Sequence, residues 1–258
     1  MITIAIANQK GGVGKTTTAV NIATAMAAAG WRTLLIDLDP QGNASTGLGC
    51  AVSQREASTY DLLVGEASFE DCLFGTQIPN LDLIPATVDL SGAEIELVGA
   101  QDRTDILAKA LAEAKQHDIC FIDCPPSLGL LTLNALSAAD RLLVPLQCEF
   151  FALEGLSQLL QTVEQVKRRF NPRLAIVGVV LTMFDRRNRL TEQVAEDVRE
   201  CLGELVFKTV IPRNVRLSEA PSHGMPALVY DHQCVGSRAY IALAGELIGR
   251  ISEARAGA

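Results

Sequence analysis

Aromatic residues and long apolar stretches are both scarce in this 258-residue sequence. Aromatic side chains make up 5% of the chain, and Asp, Arg or Asn interrupts each apolar run before it reaches the length of a membrane-spanning helix. The N-terminal letters MITIAIAN include no basic residue ahead of the apolar run, which is unlike a secretion signal. We therefore expect a cytoplasmic protein that does not associate with membranes, and its hydrophobic content of 48% is enough to form a sizeable core.

The seven cysteines form no CxxC pair and do not cluster with the three histidines. An odd number of cysteines in a chain without a secretion signal argues against a disulfide framework. We expect buried or partly buried thiols in a reducing compartment.

Positive charge is in deficit overall but is concentrated in one segment. The formal net charge is −8. Residues 1–166 contain eight Lys and Arg against 20 Asp and Glu, whereas residues 167–216 contain 11 against six. Half of the cations therefore lie in about a fifth of the chain, which predicts a local basic surface on an acidic protein.

Short apolar runs rich in Ile, Val and Leu alternate along the chain with segments of helical apolar spacing. The predicted strands are residues 2–7, 33–37, 81–85, 119–123, 141–145, 175–182 and 208–211. The predicted helices are residues 16–29, 103–115, 128–138, 153–170, 191–202 and 237–254. This alternation predicts an α/β fold with a doubly wound, mostly parallel β-sheet flanked by helices. Without any repeat or linker, residues 1–258 are expected to form a single domain, with short helices and loops over residues 43–80.

A glycine-rich stretch, NQKGGVGKTTT at residues 8–18, joins the first predicted strand to the first helix. The common phosphate-binding pattern GxxxxGK[ST] needs glycine at position 9, where the chain has Gln9. Three glycines remain, and they let successive N–H groups converge on an anion at the positive end of the helix. The pattern predicts that Lys15 contacts the β- and γ-phosphates of a nucleotide and that the Thr16 hydroxyl binds Mg²⁺. The predicted phosphate-binding residues are Lys10, Gly11, Gly12, Val13, Gly14, Lys15, Thr16 and Thr17.

The second lysine of this loop, Lys10, has two possible roles. Because it precedes the glycines, its side chain is poorly placed to fold back onto its own nucleotide. It can instead reach the phosphates of a neighbouring subunit, in the manner of an arginine finger. The alternative is a solvated lysine without a catalytic role.

Three aspartates stand where predicted strands end. Asp37 and Asp39 follow one strand and Asp123 closes another, and open α/β sheets bind their ligands at such strand ends. If the backbone stays extended past Asp37, both of the first two side chains point the same way. Anions beside a nucleotide make sense only near Mg²⁺ or the attacking water, although capping aspartates in a strand-end turn are an alternative. An apolar run that ends in Asp is typical of a Mg²⁺ site, so Asp123 is predicted to hold a Mg²⁺-bound water.

Four segments together resemble a known family. They are KGGVGKTT at residues 10–17, DLDPQGN at 37–43, DCPPS at 123–127 and IPRNVRLSEAPSHG at 211–224. They resemble the ParA/MinD ATPases, which have a deviant Walker A loop, and in particular the small bacterial ParA/Soj type. The resemblance extends from residue 1 to about residue 240.

The resemblance implies an ATPase whose active form is a homodimer that encloses ATP and Mg²⁺ between its subunits. In that family the early lysine acts in the partner's site, which assigns this role to Lys10. The resemblance also implies that Asp39 orients the attacking water, that Asp37 lies close to the metal, and that Asp123 belongs to the family's third motif. The adenine pocket maps to Pro212, Arg213 and Asn214.

The basic segment carries candidate DNA contacts. By the resemblance, Arg187 and Arg216 match positions that bind double-stranded DNA without sequence preference, and guanidinium groups suit phosphate. No aromatic residue lies between the arginines of FDRRNRL, so we expect backbone contact rather than base stacking. The cations at residues 167–169 stay ambiguous, because a helix dipole alone favours them. The chain starts at its first strand, so no N-terminal helix-turn-helix region and no operator binding are expected.

The implied function is a partitioning ATPase associated with the nucleoid, whose slow hydrolysis is stimulated by a ParB-type centromere-binding protein. A MinD-like membrane ATPase is disfavoured by the short, mixed-charge tail GRISEARAGA. A reductase like the nitrogenase iron protein needs cluster-binding cysteines, but Cys124 lies within the DCPPS motif. A scaffold without hydrolysis is disfavoured by Lys15 and Asp39, whereas a ParA-like ATPase that positions another cargo stays open.

Overall fold

The computed structural model describes residues 1–99 and 102–256, and its centre is a β-sheet. The strands are β1 Ile2–Ile6, β2 Thr33–Asp37, β3 Phe74–Gly75, β4 Leu81–Ile84, β5 Ile119–Asp123, β6 Arg141–Gln147, β7 Ala175–Phe184 and β8 Val206–Pro212. Their order in the sheet is β3-β4-β2-β5-β1-β6-β7-β8. The neighbouring pairs are parallel except for β3 with β4.

Helices cover both faces of this sheet. They are α1 Lys15–Ala28, α2 Asn43–Gly47, α3 Thr59–Val64, α4 Leu90–Glu96, α5 Ile106–Leu111, α6 Leu130–Ala138, α7 Ala152–Arg169, α8 Arg189–Leu202, α9 Val215–Glu219, α10 Ala227–Tyr230 and α11 Val235–Ala256. None of the helices within the described ranges is long and apolar enough to cross a bilayer.

Alternate residues of the central strands belong to different hydrophobic clusters, one on each face. Along β5, Cys120 and Ile122 pack in one cluster, while Ile119 and Phe121 pack in the other. A strand buried on both faces needs apolar residues at successive positions, which explains the near-continuous Ile, Val and Leu runs of the sequence. Burying one such aliphatic side chain stabilises the fold by about 1.5–3 kcal/mol.

The predicted doubly wound, mostly parallel sheet is confirmed, and all seven predicted strands are present. Helix 103–115 was predicted too long, since α5 covers only Ile106–Leu111. The reason lies in Asn134 of α6, whose Nδ2 donates to the Arg103 carbonyl at 2.7 Å and whose Oδ1 accepts from the Leu107 N–H at 3.3 Å. These two side-chain bonds take the place of helical backbone hydrogen bonds at the N-terminal end of α5. The sequence also missed β3, because two residues are too few for a periodic pattern.

The cysteines are unpaired throughout the part of the chain that the structure describes, as predicted. Five are buried, and burial raises the pKa of both the Cys72 and the Cys148 thiols to about 11. Cys201 is the exception to the predicted burial, because it lies exposed on α8.

Candidate functional site

The glycine loop leaves β1 and enters α1 at the carboxyl edge of the sheet. Gly12 and Gly14 adopt φ angles of +76° and +86°, which other residues rarely tolerate. Helix α1 begins at Lys15 with no side-chain cap and no acidic residue in its first turn. Its first N–H groups and its positive dipole end are therefore available to an anion, as the sequence pattern predicts.

Lys15 is buried inside this loop. Its Nζ donates a hydrogen bond to the Lys10 carbonyl at 3.1 Å. Burial lowers the pKa of Lys15, while the charges of Asp123 and Asp39 oppose that shift. The ammonium group therefore lies among the candidate catalytic carboxylates, where an incoming phosphate can replace the loop carbonyl as its partner.

Lys10 points away from its own loop. Its ammonium group forms an ion pair with Glu149, which lies between β6 and α7 of the same chain. Both side chains are nearly half exposed, at 43% and 47%. Exposed ion pairs contribute little to stability, so this pair can exchange for another partner of Lys10.

Asp37 is fully buried and its oxygens are occupied by donors of the same chain. Oδ2 accepts from the Ser45 N–H at 2.8 Å and from Ser45 Oγ at 2.7 Å, and Oδ1 accepts from the Asp39 N–H at 3.2 Å. Burial raises the pKa of Asp37 to about 6, against the lowering effect of the Ser45 bonds.

The backbone does not stay extended past Asp37, because β2 ends there. Asp39 instead opens a tight turn in which its Oδ1 accepts from the Gln41 N–H at 3.0 Å. The condition under which the two side chains would point the same way is therefore not met. Asp39 lines the cavity of the glycine loop, and Asp37 lies behind it.

Asp123 ends β5 in direct register with Asp37 on β2. Both of its carboxylate oxygens are buried and have no hydrogen-bond partner within the described residues. Burial and the charge of Asp37 raise the pKa of Asp123 well above its ordinary value, while the Thr16 hydroxyl and Lys15 oppose this shift. A buried carboxylate without a partner fits a nearby cation or a cation-bound water.

The protein supplies few ligands of its own for such a cation. Within residues 1–99 and 102–256, no three His, Cys, Asp or Glu side chains are grouped so as to hold a metal ion. A site built from the Thr16 hydroxyl, water and phosphate oxygens is typical of Mg²⁺, which keeps several waters. The donor set therefore fits Mg²⁺ delivered with a nucleotide better than a permanently bound metal.

Two neighbouring cavities open at this edge of the sheet. One, of about 260 Å³, is lined by Gly11, Gly12, Gly14, Lys15, Thr16, Thr17, Asp39, Asn43 and Pro126. The other, of about 290 Å³, includes Pro212, Arg213 and Asn214 in its lining. Gly14 and Thr17 line both cavities, so the phosphate and adenine regions expected from the sequence lie side by side.

Three residues of the second cavity were missed at the sequence level. Thr182 donates from Oγ1 to the Val13 carbonyl at 2.8 Å, and Met183 has a positive φ of 50°. Both lie at the end of β7, where the strand-end rule could have found them. Tyr240 of α11 shares a hydrogen bond of 3.1 Å with the Thr18 hydroxyl, and nothing in the sequence links these distant positions.

Of the two candidate DNA-binding arginines, Arg187 lies in the loop between β7 and α8, and Arg216 lies in the short helix α9. The Arg213 N–H donates to the Phe184 carbonyl at 3.2 Å, which joins the segment before Arg187 to the segment before Arg216. Each arginine has an acidic partner in the same chain. Arg187 contacts both oxygens of Asp185 at 3.0 Å.

Arg216 has more partners than Arg187. It bonds Glu219 at 2.9 Å and lies 3.6 Å from Asp231, with Tyr230 5.9 Å from its guanidinium carbon. Both guanidinium groups are largely exposed, so they stay accessible to phosphate. Asp185, Glu219 and Asp231 reduce the net positive charge around the two guanidinium groups.

Fold and loop together define the class: a P-loop nucleotide-binding protein with an altered Walker A loop. The AAA domain family model matches residues 1–176. The chromosome partitioning protein ParA of Caulobacter vibrioides is 59% identical over 250 residues, which are 96% of this chain and 94% of that protein. The sporulation initiation inhibitor protein Soj of Bacillus subtilis is 55% identical, over 95% of this chain and 97% of that protein.

A solved structure from Mycobacterium smegmatis supports the same class. It is described as cobyrinic acid a,c-diamide synthase with bound ATP analogue and magnesium. It matches with a TM-score of 0.84 and 38% identity, covering 96% of this chain and 94% of that one. This chain belongs to the ParA/Soj family of P-loop partitioning ATPases, which confirms the resemblance seen in its motifs.

Proposed function

We propose that this protein is an ATP-dependent dimerising switch that binds DNA without sequence preference and partitions a chromosome or plasmid. ATP would assemble the dimer, the dimer would hold DNA, and hydrolysis would reset the switch. The surroundings of Asp123 give the main support for the proposed ATPase activity. Its buried carboxylate has no partner within the described residues and lies beside Lys15 and the glycine loop. A charged group is rarely left in that state unless a cation or water completes it.

ATP and Mg²⁺ are the cofactors that the site fits best. The residues from Lys10 to Thr17 would hold the phosphates, while Pro212, Arg213 and Asn214 would border the adenine. Thr16, Asp37 and Asp123 would form the Mg²⁺ site. Asp37 would contribute indirectly, through the residues it bonds, rather than by lining the cavity. When bound, Mg²⁺ neutralises phosphate charge and polarises the bond to the leaving group. Asp39 lines the phosphate cavity, which supports its role in orienting the attacking water.

The homodimer is the proposed active form. The Lys10 side chain forms an exposed ion pair with Glu149, and it has no other side-chain partner within the described residues. Its ammonium group would transfer to the phosphates of the other subunit, where it would stabilise charge that develops during hydrolysis. Lys15 would supply the corresponding charge within its own subunit.

The proposed dimer binds double-stranded DNA without sequence preference. Arg187, in the loop after β7, and Arg216, in α9, lie exposed at the same edge of the sheet as the nucleotide cavities. Two weakly basic faces on one rigid dimer bind with a high effective concentration, so dimer formation would switch DNA affinity on. The protein would then be associated with the nucleoid.

The proposed regulator is a ParB-type centromere-binding protein that accelerates otherwise slow hydrolysis. The name of the Caulobacter relative, chromosome partitioning protein ParA, supports chromosome partitioning rather than the positioning of another cargo. DNA co-sedimentation with ATP and with ADP tests the proposal. Retention of DNA with ATP and Mg²⁺ alone is expected, and equal retention with ADP would contradict the switch.

A further inference from the structure

Arg55 is a partly buried arginine that bonds to backbone rather than to an acid. Its Nη1 donates to the Ala86 carbonyl at 2.7 Å, and its Nε and Nη2 donate to the Cys50 carbonyl at 3.2 and 3.0 Å. Nη2 also donates to Thr46 Oγ1 at 2.9 Å and to the Gly42 carbonyl at 3.3 Å. Across the described residues no carboxylate lies within ion-pair distance of this guanidinium group.

Gly42 connects Arg55 to the candidate catalytic turn. The Gly42 N–H donates to the Asp39 carbonyl at 2.9 Å and closes the turn that Asp39 opens. Gly42 has φ +62°, and a Cβ placed on it would lie 2.2 Å from Arg55 Nη1 and 3.0 Å from the Ala86 carbonyl oxygen. Arg55 therefore packs directly on the α-carbon that ends the turn, at a distance that only glycine allows.

Ala86 anchors the same loop from the other side. Its N–H donates to Ser45 Oγ at 3.0 Å, and Ser45 in turn donates to Asp37. Because the Ala86 carbonyl accepts from Arg55, the peptide groups at the end of β4 hold the loop at two points. One point is Ser45, within α2, and the other is Arg55, beside the turn.

From these contacts we infer that Arg55 is a positioning residue for Asp39. It fixes the turn of residues 39–42 against the end of β4 and so sets where the Asp39 carboxylate lies in the phosphate cavity. This inference rests on the proposed function, because it depends on Asp39 orienting the attacking water. A displacement of about 1 Å in such a group can slow a reaction roughly 100-fold.

Only a guanidinium group can serve this arrangement. Its planar N–H groups reach four separate oxygen atoms in different directions, whereas an ammonium group has three donors at one point. Lysine at position 55 would keep the positive charge and most of the volume but lose the fork of contacts. Arg55→Lys and Arg55→Gln therefore separate the geometry of the clamp from its charge.

Arg250 offers a matched control far from the site. It also donates to three backbone carbonyls, those of Val177, Leu205 and Val206, at 2.9 to 3.1 Å. It stacks on the Phe207 ring at 3.9 Å and pairs with Glu246, at the amino ends of β7 and β8. Arg250→Gln removes a comparable clamp at the opposite edge of the sheet.

The test compares ATP turnover, the KM for ATP and the melting temperature of four proteins: wild type, Arg55→Gln, Arg55→Lys and Arg250→Gln. We expect both Arg55 variants to lose roughly 10- to 100-fold in kcat with the KM changed less than about threefold. Arg250→Gln should lower the melting temperature while keeping the wild-type kcat. Each protein is assayed about 10 °C or more below its own melting temperature, so that partial unfolding does not lower the measured turnover.

Several outcomes overturn the positioning role. One is a wild-type kcat in both Arg55 variants. Another is a kcat that falls in Arg250→Gln as far as it does in Arg55→Gln, which would show a general effect of lost stability. Asp39→Ala serves as the reference. If this variant still turns over ATP, both the role of Asp39 in orienting water and the positioning role of Arg55 are rejected. A wild-type protein that turns over no ATP would instead contradict the proposed function itself.

Discussion

Asp37 and Asp123 face each other in register at the ends of β2 and β5, yet they differ in their surroundings. Asp37 accepts three hydrogen bonds from Ser45 and Asp39, whereas Asp123 has none within the described residues. Two buried carboxylates at adjacent strand ends repel each other, and burial raises the pKa of both. Without a cation this pair opposes folding, so function and stability conflict at this point.

The first prediction is that Asp123→Asn stabilises the protein in the absence of nucleotide and Mg²⁺. The change removes a buried carboxyl group that has no hydrogen-bond partner within the described residues and whose charged form is disfavoured by burial, so we expect a gain of ~1–3 kcal/mol at neutral pH. Thermal unfolding measures it. An unchanged or lower melting temperature at neutral pH would contradict this description of the site, as would ATP turnover at the wild-type rate.

The same pair gives the sign of the pH dependence. The pKa of Asp37 in the folded protein is about 6, above the ordinary value of ~3.9. Its protonated form is therefore favoured by folding, and its stabilising contribution is full below about pH 4 and lost as the pH rises through about 6. Asp123 shifts in the same direction. Asp123→Asn removes the contribution of Asp123, so stability should fall less steeply as the pH rises above about 4.

The second prediction concerns Lys15. Lys15→Ala should abolish ATP binding, because it removes the buried cation that faces the phosphate cavity and its charged hydrogen bonds, a loss of roughly 100-fold or more. Equilibrium binding of a fluorescent ATP analogue measures it. Lys109→Ala, on α5 and paired with Asp102, is the control and should bind normally. Unchanged nucleotide affinity in Lys15→Ala would reject its place in the loop.

The third prediction separates DNA binding from dimer formation. Arg216→Glu should lose DNA retention by about tenfold or more while it keeps the ATP dimer, because it reverses a charge that we propose contacts phosphate. Arg173→Glu is the matched control, since it makes the same charge change on an exposed residue before β7, at the other edge of the sheet. Wild-type retention by Arg216→Glu at modest salt would move the DNA surface elsewhere.

The fourth prediction uses the acid beside Arg187. Arg187 holds the pKa of Asp185 down at about 2, which shows how closely the two charges are paired. If Arg187 binds DNA as proposed, Asp185→Asn should strengthen that binding by roughly two- to fivefold, because the guanidinium group would no longer divide its contacts between Asp185 and phosphate. Filter binding across a salt series measures it. Weaker binding would mean that Asp185 holds Arg187 in the orientation that DNA requires.

The parts of the site that follow one strand were predictable from the sequence. Gly12, Gly14 and Lys15 follow β1 directly, and Asp123 ends an apolar run. Their chemistry depends on local backbone geometry and on the rule that parallel strands end at one edge. Such features could be predicted because they depend on residues that are adjacent in the sequence.

The rest depends on contacts between distant segments. Glu149 lies 139 positions from Lys10, and Tyr240 lies 222 from Thr18. The apolar residues around Arg55 show no periodic spacing, so the sequence does not indicate that Arg55 contacts Gly42. Tertiary packing brings these pairs together, and single-chain sequence patterns do not record it.

The measurement that tests the central claim most directly is the mass of Asp39→Ala by sedimentation, with ATP and Mg²⁺ and then with ADP and Mg²⁺. Asp39→Ala should bind ATP without turning it over, so the ATP-bound state persists. The account predicts a particle of twice the 27.6 kDa chain mass with ATP and a single chain with ADP. It also predicts that adding Lys10→Ala weakens the dimer. A single chain under every adenine nucleotide, with Mg²⁺ present, would contradict the account.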